Sequence, residues 1–172
     1  MEGKETVKLK GSQVLLKGYI PEVDEIAPDF TFVGSDMKEK SLYDFEGLNK
    51  VVLSLPSVDT GICAMETKKF NEAMGKLDNV VCLAVSKDLP FALKRFCGAE
   101  GIENVKAVSD FRYGDFATEY NVEMVNGPLK MLLARAVFVL DKDNRLQYVE
   151  LCDEITREPD YDKALIVLKK LK

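Results

Sequence analysis

The chain has 172 residues, of which 47% are hydrophobic and 31% are charged, and its formal net charge is −5. This composition is typical of a soluble folded protein with a sizeable core and excludes a disordered chain. An acidic chain without a basic cluster is a poor candidate for binding nucleic acid or an anionic membrane, and no apolar run reaches the ~18 residues that span a bilayer. Residues 1–5 lack the apolar core of a signal peptide, so we expect a cytoplasmic protein.

The part of the chain before residue 56 predicts β-strands. Apolar and polar residues alternate over residues 7–9 and again over residues 14–16, so we expect an N-terminal β-hairpin extension within residues 1–17. Further strand-like runs follow at residues 27–32 and 51–55. No linker or repeat divides the chain, which indicates a single domain over residues 1–172.

Strands and helices alternate in the rest of the chain. A helix is predicted from Gly61 to about Leu77, with Cys63 in its first turn and on its apolar face. A second helix opens at Pro90, carries Cys97 and is expected to end near Gly98. The other predicted elements are strands at 80–85, 136–140 and 146–151 and helices at 115–120 and 159–171. This order predicts an α/β protein with a central mixed sheet flanked by helices, and a thioredoxin-like fold is the named candidate.

The cysteine and histidine content restricts the chemistry. The four cysteines, at positions 63, 82, 97 and 152, form no C-x-x-C pair, and the chain contains no histidine. Catalytic triads with an imidazole base, haem with a histidine ligand and nearly all catalytic zinc sites are therefore excluded. If a cysteine is reactive here, a group other than imidazole must activate it.

Cys63 is the candidate nucleophile. The free N–H groups and the dipole of a helix first turn favour an anion such as a thiolate. Thr60 can direct a hydroxyl toward the sulfur, and Pro56 stiffens the preceding loop and shields the sulfur from water. Arg135 lies in the apolar run 132–137, where a buried guanidinium needs an anion. Other interpretations remain open: Cys63 as a small core residue, Arg135 paired with a carboxylate, and Thr60 as a helix cap.

The same residues match a family pattern. Pro56, Thr60 and Cys63 fit the Pro-x-x-x-Thr-x-x-Cys pattern of the peroxiredoxins. From about Gly18 to the C-terminus the chain resembles the bacterial thiol peroxidases, which are atypical two-cysteine peroxiredoxins. The segments that carry this resemblance are SVDTG at 57–61, DLPFA at 88–92, RFCGAEG at 95–101 and LLARA at 132–136.

The resemblance implies a role for each matching residue. Cys63 attacks a hydroperoxide, either hydrogen peroxide or an alkyl hydroperoxide, and becomes a sulfenic acid, which Cys97 resolves as an intramolecular disulfide. Thr60 and Arg135 orient the peroxide and stabilise the thiolate, and Pro56 protects the sulfenic acid from over-oxidation. The resemblance also implies a thioredoxin fold, a homodimer, thioredoxin as the reductant, and no metal or organic cofactor.

The other thiols leave alternatives open for the resolving step. Cys82 lies within an apolar strand and is interpreted as a core residue. Cys152 follows the last strand, either as a partly exposed bystander or as the partner in an intermolecular bond. A related subfamily resolves within the nucleophile's own helix, but it needs a cysteine where this chain has Lys68.

Two other functions use the same residues differently. One is a thiol redox sensor or disulfide relay, and the other is an interaction module whose cysteines are core residues.

A disulfide between separate helices requires movement, so we expect both helical ends to unwind during turnover, with Gly61 and Gly98 as permissive points. Four apolar residues near the cysteines have two interpretations: they line an entrance for alkyl hydroperoxides, or they belong to the core. These residues are Ile62, Met65, Phe91 and Phe96.

Overall fold

The computed structural model describes residues 5–171, which form nine β-strands and four α-helices. The strands are β1 (Thr6–Leu9), β2 (Ser12–Leu15), β3 (Thr31–Gly34), β4 (Glu39–Ser41), β5 (Asn49–Ser54), β6 (Val80–Ser86), β7 (Lys106–Ser109), β8 (Ala136–Leu140) and β9 (Leu146–Leu151). The helices are α1 (Gly61–Met74), α2 (Pro90–Glu100), α3 (Asp115–Glu119) and α4 (Tyr161–Lys170). None of these helices is long and apolar enough to cross a membrane.

Strands β3 to β9 form one seven-stranded sheet in the order β4-β3-β7-β6-β5-β8-β9. The β5–β6 and β6–β7 pairs are parallel because α1 and α2 serve as crossover connections. The other neighbouring pairs are antiparallel, so the sheet is mixed. The predicted α/β architecture, a central mixed sheet flanked by helices, is therefore confirmed.

The central sheet is covered on both faces. Side chains alternate between the faces of a strand, and in β5 both sets are buried: Val51 and Leu53 belong to one core cluster and Val52 to the other. The first cluster includes residues of α1, α2 and α4, among them Phe70. The second includes residues of the N-terminal hairpin and of α3, among them Phe116. Cys63 lies in the first cluster.

The predicted N-terminal hairpin is confirmed as β1 and β2, and residues 1–4 of the predicted extension lie outside the described residues. Its two-residue turn is Lys10-Gly11, with φ of 50° and 83°, and a two-residue hairpin turn needs these positive values. The Glu154 carboxylate accepts hydrogen bonds from the backbone N–H groups of both turn residues, at 2.9 and 3.1 Å. This contact anchors the hairpin to the segment after β9.

Several predicted boundaries were wrong. Helix α2 passes through Gly98 and ends at Glu100. The next residue, Gly101, adopts φ 65° and donates its N–H to the Cys97 carbonyl as a left-handed cap. Helix α1 ends at Met74 rather than near residue 77. Helix α4 begins two residues after Pro159, because the Asp160 side chain accepts a hydrogen bond from the Lys163 N–H and caps it. Strands β4 and β7 were not predicted.

Candidate active site

Cys63 is the third residue of α1 and has no exposed surface. Strand β5 ends at Ser54, and residues 55–60 carry the chain from the carboxyl end of the parallel strand into the helix. This connection places the thiol in the first turn, where backbone N–H groups have no acceptor within the helix. The thiol is free, as are those of the other three cysteines.

Arg135 lies against Cys63, although the two residues are 72 positions apart in the chain. Its guanidinium is buried, and Nη2 is 3.4 Å from the Cys63 Sγ. The Nη1 atom donates to Oε2 of Glu66 at 2.7 Å, and Nε donates to the Ile155 carbonyl at 2.9 Å. The structure thus brings together Cys63 and Arg135, the two residues singled out from the sequence. Arg135 also pairs with a carboxylate, that of Glu66, which was the other interpretation of this arginine.

Glu66 is a site residue that the sequence analysis missed. It follows Cys63 by three positions, so the two side chains share a face of α1, and it has no exposed surface. Its Oε1 atom is buried without a hydrogen-bond partner among the described residues. Burial raises the pKa of Glu66 to about 7, against the opposing effect of Arg135. The three-residue spacing from Cys63 was the available signal, but a glutamate on a helix is ordinarily on a solvated face.

One buried guanidinium therefore faces two buried acids. Both the Cys63 thiol and the Glu66 carboxyl contact Arg135, and each becomes an anion when it loses its proton. A buried cation stabilises one neighbouring anion more strongly than two, because the two anions repel each other. The charge of Glu66 thus sets how much of the Arg135 charge is available to a Cys63 thiolate.

Thr60 and Pro56 flank the first turn of α1. Thr60 is exposed and occupies the N-cap position, yet its side chain makes no capping hydrogen bond. Its hydroxyl donates instead to the Ser57 carbonyl at 3.0 Å. Pro56 is buried in the segment that leaves β5. Both residues lie in the loop that leads to Cys63.

Cys97 lies on a different helix from Cys63. It belongs to the last third of α2, and its side chain is half-buried beside a cavity of about 220 Å³. Burial raises the pKa of the Cys97 thiol, and a backbone hydrogen bond from Ala107 opposes that change. Helices α1 and α2 pack on the same face of the sheet. The two cysteines thus share a face but are held in separate folded helices.

Cys82 and Cys152 are both buried. Cys82 lies in β6 with 1% exposure, and burial raises its pKa well above the ordinary value for a thiol. This position agrees with the predicted core role. Cys152 is 5% exposed, so the predicted partly exposed position was wrong, and burial raises its pKa to about 12. Its backbone N–H donates to the Arg135 carbonyl at 3.0 Å, which places it beside the site.

An open cleft of about 360 Å³ lies between the start of α1 and helix α2. Thr60, Gly61 and Phe96 line it. Four apolar residues were expected either at an entrance or in the core, namely Ile62, Met65, Phe91 and Phe96. Only Phe96 lines this cleft, and it is largely buried. Met65 and Phe91 are 44% and 69% exposed, so a core position is wrong for both. Phe91 lines a separate groove.

This arrangement supports nucleophilic chemistry at sulfur. A thiol in a helix first turn and beside a guanidinium has two groups that favour its thiolate, which is the reactive form. Burial strengthens these interactions because little water screens them. Within residues 5–171, no group of three or more histidine, cysteine, aspartate or glutamate side chains is placed to hold a metal ion.

We expect Glu66→Gln to change how the reactivity of Cys63 toward hydrogen peroxide depends on pH. Glutamine keeps an oxygen that accepts a hydrogen bond from Arg135 but removes the charge that competes with the thiolate. Since the pKa of Glu66 is about 7, the carboxyl is mostly neutral at low pH and mostly charged at high pH. The variant and the wild type should react equally below about pH 6, and the variant should react several-fold faster above about pH 8.

Single-turnover reactions, quenched and analysed by mass spectrometry, measure these rates. Glu72→Gln is the matched control, because Glu72 is on the same helix but its carboxylate is exposed. Its ion-pair partner is Lys76, at 3.9 Å, rather than Arg135. The control should match the wild type at every pH. A ratio of variant to wild-type rate that stays constant with pH would show that Glu66 does not compete for the guanidinium.

Comparison with known proteins identifies the family. The Redoxin family pattern matches residues 22–165. A thiol peroxidase of Leptospira interrogans is 47% identical over 161 residues, which cover 92% of this chain and 94% of the relative. A thiol peroxidase of Corynebacterium glutamicum is 46% identical over 159 residues, with 92% and 96% covered.

A solved structure extends the similarity to three dimensions. The crystal structure of a peroxiredoxin-like protein from Aquifex aeolicus matches with a TM-score of 0.93 at 44% identity and covers 99% of both chains. This match confirms the expected thioredoxin-like fold, and the relatives confirm the resemblance to thiol peroxidases. The chain therefore belongs to the Redoxin family and is a peroxiredoxin enzyme.

Proposed function

We propose that the protein reduces hydrogen peroxide and alkyl hydroperoxides with Cys63 as the nucleophile. The Cys63 thiolate attacks the terminal peroxide oxygen, the O–O bond breaks, and the sulfur becomes a sulfenic acid as water or an alcohol leaves. The observation that carries this proposal is the contact of 3.4 Å between the buried Arg135 guanidinium and the Cys63 sulfur. A fixed cation there stabilises the thiolate and the negative charge that develops on the peroxide.

Thr60 and Pro56 complete the proposed peroxide site. Thr60 stands at the edge of the cleft beside α1, and in the structure its hydroxyl donates to the Ser57 carbonyl. In the proposed reaction this hydroxyl turns to the bound peroxide and orients it toward Cys63. Pro56 is buried, and it shields the sulfenic acid from further oxidation.

Cys97 is the proposed resolving cysteine. The sulfenic acid of Cys63 condenses with the Cys97 thiol, and the disulfide forms as one water molecule leaves. Exposure supports this choice, because Cys97 is half-buried whereas Cys82 and Cys152 are buried. The Cys63 sulfur contacts Arg135 just before β8, and the Cys97 thiol contacts Ala107 in β7, three strand positions or about 14 Å away. In the proposed reaction the first turn of α1 and the end of α2 therefore open before the bond forms.

The proposal includes a homodimer recycled by thioredoxin in the cytoplasm, without a metal or organic cofactor. The relation to thiol peroxidases supports thioredoxin as the reductant, the cytoplasmic location and the proposal that no cofactor is needed. A groove supports the dimer, because Leu89, Phe91 and Phe111 line it and are between 46% and 69% exposed. Exposed apolar side chains that lie together are typical of a protein–protein interface.

Disulfide mapping tests the proposal. The reduced protein receives one equivalent of cumene hydroperoxide, free thiols are then blocked, and peptides are analysed by mass spectrometry. We expect a rapid Cys63–Cys97 bond in the wild type and in Cys152→Ser, and a Cys63 sulfenic acid without a disulfide in Cys97→Ser.

Two results would contradict parts of this proposal. A Cys63–Cys152 bond would keep the peroxidase activity but overturn the role of Cys97. No oxidation of Cys63 by peroxide, together with rapid exchange with a protein disulfide, would favour a disulfide relay.

We expect Gly98→Ala to slow disulfide formation without slowing the attack on peroxide. Gly98 lies inside α2, and a Cβ atom placed there meets nothing within 4 Å outside its own helix. Alanine is therefore tolerated in the folded helix and stabilises it by about 1 kcal/mol, which makes the opened form about fivefold rarer. Rapid quench and mass spectrometry should show a fivefold slower second step.

Ala99→Gly is the matched control for this prediction. Ala99 is the next residue in α2 and is also exposed, so glycine there should weaken the helix and speed the second step. If both variants form the disulfide at the wild-type rate, opening of α2 does not limit the reaction.

A further inference from the structure

Asp88 joins the loop before Cys63 to the end of a core strand. It lies between β6 and α2, and its carboxylate accepts three hydrogen bonds. The Ser57 hydroxyl donates to Oδ1 at 2.8 Å, and the Val58 N–H donates to Oδ2 at 2.9 Å. The Ser86 hydroxyl, at the end of β6, also donates to Oδ2 at 2.8 Å. A single carboxylate therefore fastens residues 57–60, here called the nucleophile loop, to the sheet.

The contacts continue from Ser57 to the start of α1. The Ser57 carbonyl accepts hydrogen bonds from the Thr60 N–H at 3.2 Å and from the Thr60 hydroxyl at 3.0 Å. The Ser57 hydroxyl accepts one from the Asp59 N–H at 3.1 Å. Thr60 is the N-cap of α1, and its carbonyl accepts the N–H of Ala64. Holding Ser57 in place thus holds the turn that begins the helix of Cys63.

The same contacts oppose the opening that a disulfide needs. The Cys63 sulfur contacts Arg135 just before β8, whereas the Cys97 thiol contacts Ala107 in β7, three strand positions away, so the first turn of α1 must leave its position before the two sulfurs meet. The nucleophile loop cannot move with that turn unless the bonds from Ser57 and Val58 to Asp88 break. Hydrogen bonds to a carboxylate are stronger than those between two neutral groups. Asp88 follows the end of β6 by two residues, so the central strand fixes its position.

We propose that Asp88 is a positioning residue that latches the nucleophile loop to the end of β6 and so sets how often the segment carrying Cys63 opens. This inference rests on the proposed function for its consequence in turnover. A Cys63 sulfenic acid has two fates. It condenses with the Cys97 thiol and releases water, or it takes an oxygen from a second peroxide to become a sulfinic acid as water or an alcohol leaves. A tighter latch keeps the nucleophile loop in place for longer and so favours oxidation to the sulfinic acid over the disulfide.

Asp88→Asn tests the latch. Asparagine replaces one acceptor oxygen by an N–H₂ group that faces donors, so the loop should detach more often. We expect disulfide formation to be at least fivefold faster, and the peroxide concentration that yields equal disulfide and sulfinic acid to rise by the same factor. Ser57→Ala removes one of the three bonds to Asp88 and also the acceptor of the Asp59 N–H, so its loop should detach more often than in the wild type.

Asp59→Asn is the matched control. Like Asp88→Asn, it removes one negative charge, but from an exposed carboxylate of the nucleophile loop itself. The Asp59 carboxylate lies 3.7 Å from the exposed Arg95, and such an exposed ion pair contributes little to stability. The control should keep the wild-type ratio of disulfide to sulfinic acid. General destabilisation by Asp88→Asn would slow the attack on peroxide and leave that ratio unchanged, and this result would overturn the proposal.

Hydrogen exchange separates the latch from the proposed function. In the reduced protein without peroxide, amides of residues 57–64 should exchange at least fivefold faster in Asp88→Asn than in Asp59→Asn. Unchanged exchange would overturn the latch even if the peroxidase activity is found. Faster exchange in a protein whose Cys63 does not react with peroxide would support the latch and reject the proposed function.

Discussion

The buried guanidinium of Arg135 is the interaction on which the site depends. A full charge with 1% exposure is tolerated only when anions and acceptors surround it, and here Cys63, Glu66 and the Ile155 carbonyl fill that role. These partners come from α1 and from the segment after β9, whereas Arg135 directly precedes β8. The need to satisfy one charge thus draws three parts of the chain to the same point and fixes the position of the thiol.

The burial that makes this charge effective also closes the site. In a buried site the guanidinium acts strongly on the Cys63 sulfur, but it holds that sulfur three strand positions from Ala107, which the Cys97 thiol contacts. The two sulfurs are therefore too far apart for a disulfide in the folded site. The proposed enzyme therefore needs a folded form for peroxide and an opened form for the disulfide. In this account, Asp88 favours the folded form, and Gly98 in α2 keeps the opened form accessible.

The sequence predicts most of the fold because its central strands are continuous apolar runs and its helices have clear apolar faces. It does not predict β4, an edge strand of three polar residues, or the end of α2, which depends on a cap at Gly101. Cys63 and Arg135 are found from their local surroundings and from family resemblance. Glu66 is not found, because only Arg135, from a distant part of the chain, makes its burial tolerable.

The most direct test of this account is the rate of the reaction between Cys63 and peroxide after the guanidinium charge is removed. Arg135→Met combined with Glu66→Gln keeps the site neutral, so the fold is not left with an unpaired buried carboxylate. Single-turnover oxidation by hydrogen peroxide, in a variant shown by circular dichroism to be folded, should be slower by about 10²-fold or more. A folded double variant whose rate stays within about twofold of the wild type would contradict the account.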